Sequence, residues 1–276
     1  MKTAVAQFAA STDVAANLAT CIRLISSAAA QGADLVVLPE VAMYYDAAKQ
    51  APPATHGEPL DGDFVSGLKA EARRSRIAVV AGVYERADDE RDFNTLVAID
   101  ARGELLGSYR KIHLYDAFGY RESERIKPGD IGRPLVFDVG GVTVGALTCY
   151  DLRFPEAFRW AVDAGADAIV LPAAWAVGPL KEDHWTTLLK ARAIENTVFL
   201  AAAGQTGPAS CGQSLVVDPM GVVIANAGEG ADSVAVADLA AERIASVRAV
   251  NPSLQNRRFA VSASASAARE AEPATV

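Results

Sequence analysis

The chain has 276 residues, of which 51% are hydrophobic and 22% charged, and this composition is that of a globular protein large enough to bury its core without cross-links. The formal net charge is −8, and lysine and arginine form no continuous stripe, which argues against a surface that binds nucleic-acid phosphates. The N-terminus has no signal-peptide pattern, and no apolar run is long enough to span a membrane. These observations favour a cytoplasmic protein whose partner is a small molecule.

The three cysteines and three histidines of the chain indicate whether to expect disulfides or a metal site. The cysteines are odd in number and show no C-x-x-C spacing, which predicts free thiols in a reducing compartment and not a disulfide framework. The histidines are far apart and form no metal-binding pattern, so we predict neither a metal nor a cofactor. The residues concerned are Cys21, Cys149, Cys211, His56, His113 and His184.

Short apolar runs alternate with helical patterns in the N-terminal part of the chain. One helical pattern carries apolar residues at helical spacing, with Asp13 as its predicted N-cap and Gly32 as its predicted C-cap. The predicted elements are, in chain order, a strand over Thr3–Phe8, a helix over Val14–Ala30, a strand over Leu35–Leu38, a helix over Phe64–Arg76 and a strand over Ile77–Tyr84.

The middle of the chain changes character. Thr95–Ile99 and Glu104–Tyr109 flank a turn, which predicts a β-hairpin. Residues 110–133 are polar and show no period, and a connection of this length is typical of a functional loop. Alternation then returns, with strands predicted over Val142–Thr148, Ala168–Leu171, Val198–Ala202, Ser214–Val217, Val222–Ala225 and Ser233–Val236, and helices over Glu156–Ala164, Leu180–Ile194 and Leu239–Val250.

Alternating strands and helices with interspersed hairpins predict an α/β fold in layers, built on a mixed sheet. Residues 261–276 are rich in alanine, serine and glutamate and show no pattern, which predicts a disordered tail. We therefore predict one domain over residues 1–260.

Three ionisable residues directly follow apolar strand patterns: Glu40 after Leu38-Pro39, Lys111 after the hairpin, and Cys149 after Val142–Thr148. Catalytic groups collect at strand ends, where a rigid sheet directs them into a crevice. Each residue also has a simpler interpretation. Glu40 could cap a helix or lie at the surface, Lys111 could be solvated, and Cys149 could be an inert buried thiol.

If Cys149 is a nucleophile, the kind of base that it uses follows from elimination. A cysteine between a strand and a helix exposes its thiol and leaves backbone N–H groups free for an oxyanion. No serine lies in a nucleophile-elbow motif. A cysteine–histidine pair would need His113 or His184, which lack supporting context, and we treat His113 as a structural residue bonded to the backbone. A carboxylate is then the remaining base for Cys149.

The three segments together resemble the nitrilase, or carbon–nitrogen hydrolase, superfamily. Its motifs have counterparts here in the family's order, and the resemblance extends from Val5 to about Arg258. They are Leu38-Pro39-Glu40, Tyr109-Arg110-Lys111-Ile112-His113-Leu114 and Cys149-Tyr150-Asp151-Leu152-Arg153-Phe154-Pro155-Glu156, supported by Arg192-Ala193-Ile194-Glu195-Asn196 and Val217-Asp218-Pro219-Met220-Gly221.

This resemblance implies a four-layer αββα sandwich, with two mixed sheets flanked by helices. It also implies a homodimer in which the helix beginning near Pro155 joins its partner. The family places a second glutamate between the lysine and the cysteine, and the matching position is Glu122, with Glu124 only two residues away. The long connection at 110–133 would then belong to the active site.

The resemblance implies a mechanism with a Glu-Lys-Cys triad. Glu40 takes the thiol proton of Cys149, which attacks an amide carbonyl and forms a thioester. Lys111 and the backbone N–H of Tyr150 stabilise the oxyanion. A nearby carboxylate raises the pKa of a thiol and an ammonium lowers it, so the resting ionisation of Cys149 stays open at this point.

The residues of the cysteine motif resemble those of the amidase branch of the superfamily. That branch hydrolyses ω-amides of keto or dicarboxylic acids, including deaminated glutathione, and the predicted products are a carboxylate and ammonia. Arg153 is expected to bind a substrate carboxylate, or else to pair with Asp151 or Glu156. Trp175 is expected to line the pocket or to lie in the core. The alternatives are an N-carbamoyl amino acid or ureide hydrolase and a catalytically silent dimeric scaffold.

Overall fold

A computed structural model describes residues 1–47, 56–87 and 91–263. Most of the predicted C-terminal tail, from residue 264 onward, lies outside the described residues. Within the described ranges, the helices are all too short or too polar to cross a lipid bilayer.

The N-terminal part forms most of a first sheet and two helices. Their bounds are β1 Lys2–Gln7, α1 Val14–Ala30, β2 Leu35–Val37, α2 Asp63–Ser75, β3 Ala78–Glu85, β4 Asp92–Ile99 and β5 Leu105–Arg110. The predicted N-cap of α1 is confirmed, since the Asp13 side chain accepts from the Ala16 N–H at 3.0 Å. The C-cap is Gln31 and not Gly32, which follows it with a φ of +76°. The predicted strands and helices of this part all form, with α1 as predicted and the ends of the other elements shifted by at most three residues.

Residues 110–133 contain more regular structure than the sequence predicted. They form a small hairpin, a 3-10 turn at Glu122–Glu124 and a short strand that pairs with β4. The hairpin strands are β6 Asp116–Ala117 and β7 Tyr120–Arg121, and the paired strand is β8 Ile126–Lys127. Each strand has only two residues, which is too short for a period of two to be visible in the sequence.

The C-terminal part forms a second sheet and three helices, and its last strand returns to the first sheet. The bounds are β9 Val136–Val139, β10 Val142–Ala146, the 3-10 turn Cys149–Arg153, α3 Pro155–Asp163, β11 Ala168–Ala173, α4 Lys181–Asn196, β12 Phe199–Gly204, β13 Leu215–Val217, β14 Val223–Asn226, β15 Ser233–Asp238 and α5 Ala241–Val250. The sequence missed β9 because it is an edge strand with a single buried side chain, Phe137.

Both sheets mix parallel and antiparallel pairs. The first has the order β15-β1-β2-β3-β4-β5, with β8 beside β4, and the second has the order β14-β13-β12-β11-β10-β9. In the first sheet β1, β2 and β3 are parallel, and β15 returns antiparallel to β1 from the end of the chain. The chain therefore passes through all six strands of the second sheet before β15 returns to the first.

The side chains of the strands divide between two cores, which confirms the predicted αββα sandwich. Val5 and Val37 face inward and pack with residues of the second sheet, whereas Ala4 and Val36, their neighbours in the chain, face α1 and α2. Phe158 of α3 and Trp185 of α4 pack against the other side of the second sheet. Alternation along each strand therefore covers both faces of each sheet.

Candidate active site

Three of the predicted residues follow strands that end at the interface between the two sheets. Glu40 lies just beyond β2, Lys111 directly follows β5, and Cys149 lies just beyond β10. The first two belong to the first sheet and the third to the second sheet, so the packing of the sheets brings them together. All three line one cleft.

The backbone around Glu40 is tightly constrained. A Cβ atom on Gly82 of β3 would lie only 2.5 Å from the Glu40 Cα, so this approach requires glycine. The following residue, Val41, has a φ of +50°, which strains a β-branched side chain. The carboxylate accepts from the Ala174 N–H, just beyond β11, at 2.6 Å. These contacts hold Glu40 in one position between the sheets.

Lys111 is 2% exposed and lies between two carboxylates. Its Nζ is 2.9 Å from Glu40 Oε1 and 2.8 Å from Glu122 Oε2. Glu122 Oε2 also accepts from the Tyr115 N–H at 2.6 Å. The structure thus places Glu122 beside Lys111, whereas the side chain of Glu124 is 65% exposed.

Asn94 is a site residue that the sequence did not reveal. Its Nδ2 donates to Glu40 Oε1 at 2.8 Å and to Glu122 Oε1 at 3.1 Å. Its backbone carbonyl accepts from the Lys111 N–H at 2.8 Å. Asn94 therefore connects both carboxylates to the backbone of Lys111. The only signal in the sequence is a polar residue near the start of an apolar strand.

Cys149 begins its 3-10 turn with a φ of +43°, a left-handed conformation that directs the thiol away from the strand path. The turn is held by Asp151, which is fully buried. The Asp151 carboxylate accepts from the Thr148 N–H at 2.9 Å and the Tyr109 hydroxyl at 2.8 Å. Backbone N–H groups at the start of such a turn, including that of Tyr150, lack partners within it.

The charges of the site settle the ionisation state that the sequence left open. Burial raises the pKa of the Cys149 thiol well above its usual range, and the Glu40 carboxylate adds to this more than Lys111 opposes it. Burial also acts to raise the pKa of Glu40, but the charge and hydrogen bond of Lys111, together with hydrogen bonds from Cys149 and the Ala174 N–H, lower it overall. Burial acts to lower the pKa of Lys111, but Glu122 and Glu40 raise it well above its usual range. The resting site therefore holds a neutral thiol, an ionised carboxylate and an ammonium.

The three predicted substrate-binding residues, Tyr150, Arg153 and Trp175, also line the cleft. Trp175 meets both expectations, since it is 4% exposed and belongs to the core cluster. The Arg153 guanidinium lies 4.8 Å from the Trp175 ring centre. Neither Asp151 nor Glu156 forms the alternative ion pair with Arg153 within the described ranges.

His113 has a different partner from the one predicted. Its Nδ1 lies 2.7 Å from Asp151 Oδ1, not against a backbone group, and its ring stacks on Phe154 at 3.8 Å. The prediction of a backbone partner was wrong, because the fold places Asp151, which is 38 residues away in the chain, beside His113. The other candidate base, His184, contacts Arg153 at 3.4 Å.

Comparisons with known proteins identify the family. The model of the carbon-nitrogen hydrolase family matches residues 2–249. The chain belongs to this family. This carbon-nitrogen hydrolase is 41% identical to a deaminated glutathione amidase of Escherichia coli O157:H7 over 260 residues, which cover 94% of this chain and 98% of the relative. The predictions of a carbon–nitrogen hydrolase and of its amidase branch are thereby confirmed.

Solved structures of amidases share the fold of this hydrolase. A mutant of the Nesterenkonia AN1 amidase from the nitrilase superfamily matches with a TM-score of 0.78 at 31% identity, covering 94% of both chains. Another structure of that amidase has the acetamide moiety of fluoroacetamide covalently added at its active-site cysteine, with the same TM-score, identity and coverage. The Caenorhabditis elegans NitFhit protein matches with a TM-score of 0.82 at 28% identity over 93% of this chain and 65% of that one.

The cleft of the hydrolase contains a further cation that the sequence did not reveal. Lys181, the first residue of α4, is 5% exposed and lines the cleft with Cys149 and Arg153. Its Nζ donates to the Tyr115 hydroxyl at 2.8 Å. No sequence pattern indicated this position, because a lysine near two acids at the start of a helix is most simply a solvated residue.

Proposed function

We propose that this hydrolase cleaves the ω-amide of a keto or dicarboxylic acid, or the amide of a deaminated glutathione-like compound, with Cys149 as the nucleophile. The observation that carries the proposal is the convergence of Glu40, Lys111 and Cys149 on one cleft, with the Lys111 ammonium 2.9 Å from the Glu40 carboxylate. Each group is in the protonation state that the first step needs.

In the first half of the reaction, Glu40 takes the thiol proton while the Cys149 sulfur forms a bond to the amide carbonyl carbon. The carbonyl oxygen becomes an oxyanion, which Lys111 and the Tyr150 N–H stabilise. Glu40 then gives the proton to the amide nitrogen, the C–N bond breaks and the amine or ammonia leaves. A thioester on Cys149 remains.

In the second half, Glu40 takes a proton from water and the hydroxide oxygen bonds to the thioester carbon. The second tetrahedral intermediate uses the same oxyanion donors. Its collapse breaks the C–S bond, and the sulfur regains the proton from Glu40. The products are the free carboxylic acid and the thiol form of Cys149.

Glu122 and Asn94 position Lys111 and Glu40 and are not proposed to touch the substrate. Glu122 supplies the second carboxylate that keeps Lys111 charged. Asn94 donates to both glutamates and so fixes their separation. The lysine can then face the developing oxyanion without losing its proton to Glu40.

The likeness to a curated deaminated glutathione amidase supports an amide whose acyl part carries a carboxylate. Arg153 supports the same choice, because its guanidinium lines the cleft without an acidic partner in residues 1–47, 56–87 and 91–263. A planar guanidinium suits a carboxylate.

The direct test replaces the nucleophile. Cys149→Ala should abolish turnover of a panel of small amides scored by release of ammonia or amine, and hydroxylamine should trap an acyl group from the wild-type enzyme only. Cys211→Ala is the matched control and should keep full activity. Turnover by Cys149→Ala would disprove the mechanism. N-carbamoyl amino acids in the same panel test the ureide alternative, and inactivity towards every substrate would favour the scaffold.

We further propose that the hydrolase works as a cytoplasmic homodimer. Free thiols at Cys21, Cys149 and Cys211 suit a reducing compartment. Trp160 and Val162 of α3 are only partly buried, and covering them in a second copy would remove apolar surface from water. Sedimentation equilibrium should give twice the chain mass of 28.9 kDa. A monomer at micromolar concentration would contradict the dimer.

A further inference from the structure

Two cations share one side of the cleft, Arg153 from the turn after Cys149 and Lys181 from the start of α4. Neither forms an ion pair with a carboxylate in the described parts of the chain. Buried cations are normally paired, because removing a charge from water without compensation costs free energy. An unpaired couple beside the reacting cysteine therefore needs an explanation.

The position of Lys181 is unfavourable for the protein alone. It stands at the N-terminal end of α4, where the helix dipole disfavours a positive charge. Its side chain is nevertheless buried at 5% exposure. Burial, and after it the charge of Arg153, lowers the pKa of the Lys181 ammonium. Stability therefore does not explain why a lysine occupies this position.

Aromatic and hydroxyl groups hold both cations in place without neutralising them. The Lys181 ammonium donates to the Tyr115 hydroxyl at 2.8 Å and lies 3.5 Å from the centre of the Phe118 ring. The Arg153 guanidinium lies 5.5 Å from that ring and 4.8 Å from the Trp175 ring. Its Nε is buried with no hydrogen-bond partner. These contacts orient the charges and leave donor capacity for an anion.

We propose that Lys181 and Arg153 together form the subsite for the substrate's carboxylate, and that Lys181 determines the preference for anionic over neutral amides. This inference rests on the proposed amide hydrolysis and adds the second cation and its role. The carboxylate at the far end of the acyl chain would accept from both side chains while the amide carbonyl meets Cys149. Lys181 contacts the substrate away from the reacting bond, so it acts on selectivity.

The test compares two amides that differ only at that end. Succinamate carries a carboxylate where butyramide carries a methyl group. Lys181→Met should lower kcat/KM for succinamate about ten- to hundred-fold, the usual effect of a lost hydrogen bond to a charged group. The kcat/KM for butyramide should stay within about twofold, and that retained activity also shows that the variant is folded.

Lys190→Met is the matched control, because it removes the same charge from the same helix at a residue outside the cleft. It should leave both substrates unchanged. Lys181→Gln, which can still bond to Tyr115, should show the same selective loss and serves if the methionine variant does not fold. An unchanged ratio of the two kcat/KM values, or an equal loss for both amides, would overturn the role of Lys181.

The outcomes separate this inference from the proposed function. If the wild-type enzyme hydrolyses neither amide, or if Cys149→Ala still hydrolyses them, the proposed function fails. If Cys149-dependent turnover of both amides is present and only the selectivity is insensitive to Lys181, the inference fails alone. Inhibition of the wild-type enzyme by the product gives a further measure, because succinate should compete at least about ten times more strongly than butyrate.

Discussion

At the scale of single residues, the protons of the site are arranged before the substrate arrives. Cys149 keeps its proton because burial and the Glu40 carboxylate raise the pKa of the thiol. Glu40 is ionised because Lys111 and the hydrogen bonds from Cys149 and Ala174 together lower its pKa against the effect of burial. Proton transfer from sulfur to Glu40 is therefore unfavourable at rest. In the proposed mechanism this transfer takes place only as the sulfur bonds to the carbonyl carbon, which limits side reactions of a free thiolate.

The lowered pKa of Glu40 makes a prediction about pH. A protonated Glu40 cannot act as the base, so kcat/KM for a neutral amide should be constant around neutrality and fall only below the ordinary carboxyl pKa of 4.5. The measurement is a pH profile with butyramide, and recovery of activity at pH 7 excludes irreversible unfolding. An acidic limb centred near pH 7 would show that the base is a histidine and not this carboxylate.

The two neighbouring glutamates at 122 and 124 offer a second test at this scale. Glu122→Gln should lower kcat about ten- to hundred-fold, because Lys111 loses one of its two carboxylates and shifts from the oxyanion. KM should change little, since no substrate contact is lost. Glu124→Gln, whose side chain is 65% exposed, is the control and should retain wild-type kinetics. Equal effects of the two substitutions would contradict the positioning role.

At the scale of elements, close backbone approaches decide where the strand ends lie. The loop after β2 crosses β3 at Gly82, where a Cβ atom would meet the Glu40 Cα at 2.5 Å. The turn after β10 begins with the left-handed Cys149 and is held by the buried Asp151. Both the close approach at Gly82 and the turn held by Asp151 position a side chain by fixing the backbone that carries it. Such fixed positions suit a reaction whose rate is sensitive to small displacements.

Gly82→Ala tests the close approach of the loop after β2 to β3. The added methyl group must push the loop away from β3, so we expect a loss of stability of about 1–3 kcal/mol and a fall in kcat of at least about tenfold as Glu40 moves. Thermal unfolding and turnover are measured together. Gly132→Ala is the control, because its Cβ would meet no atom within 4 Å. An active and stable Gly82→Ala variant would show that the loop after β2 can move without displacing Glu40 from the other residues of the site.

At the scale of the whole molecule, several buried carboxylates link stability to pH. Burial acts to raise the pKa of Glu71, but the hydrogen bonds and charge of Arg74 and the hydroxyls of Ser75 and Ser26 lower it overall. The pKa of Glu85 and that of Asp218 are also lowered, against burial, with an arginine partner for each. In the unfolded chain these groups have higher pKa values and bind protons first.

The free energy of unfolding should therefore be constant near neutrality and decline as the pH falls below about 4.5, as the unfolded state takes up more protons than the folded state. Urea unfolding at pH 7 and pH 4 measures this decline. Glu71→Gln should lower the free energy of unfolding by about 1–3 kcal/mol at pH 7. It should also reduce the difference between the free energies of unfolding measured at pH 7 and pH 4. A larger difference in that variant would contradict the assignment.

The sequence by itself determined the layered α/β fold, because the alternation of side chains along strands is a local feature. It predicted Glu40, Lys111 and Cys149 from their positions after strands together with the resemblance of three motifs to a known family, since each position alone also had a simpler interpretation. Elements with few residues or one buried side chain, such as β6, β7 and β9, gave too little periodicity to be predicted.

Only the tertiary structure decided the partners and charges of the site. Asn94 bridges two glutamates that lie 54 and 28 residues away in the chain, and Lys181 reaches the hydroxyl of Tyr115 from 66 residues away. The resting proton on Cys149 and the unpaired cations beside it depend on burial and on distances between segments that meet only when the two sheets pack. A sequence records which groups are present, whereas their pKa values arise from the dielectric and the neighbours that folding provides.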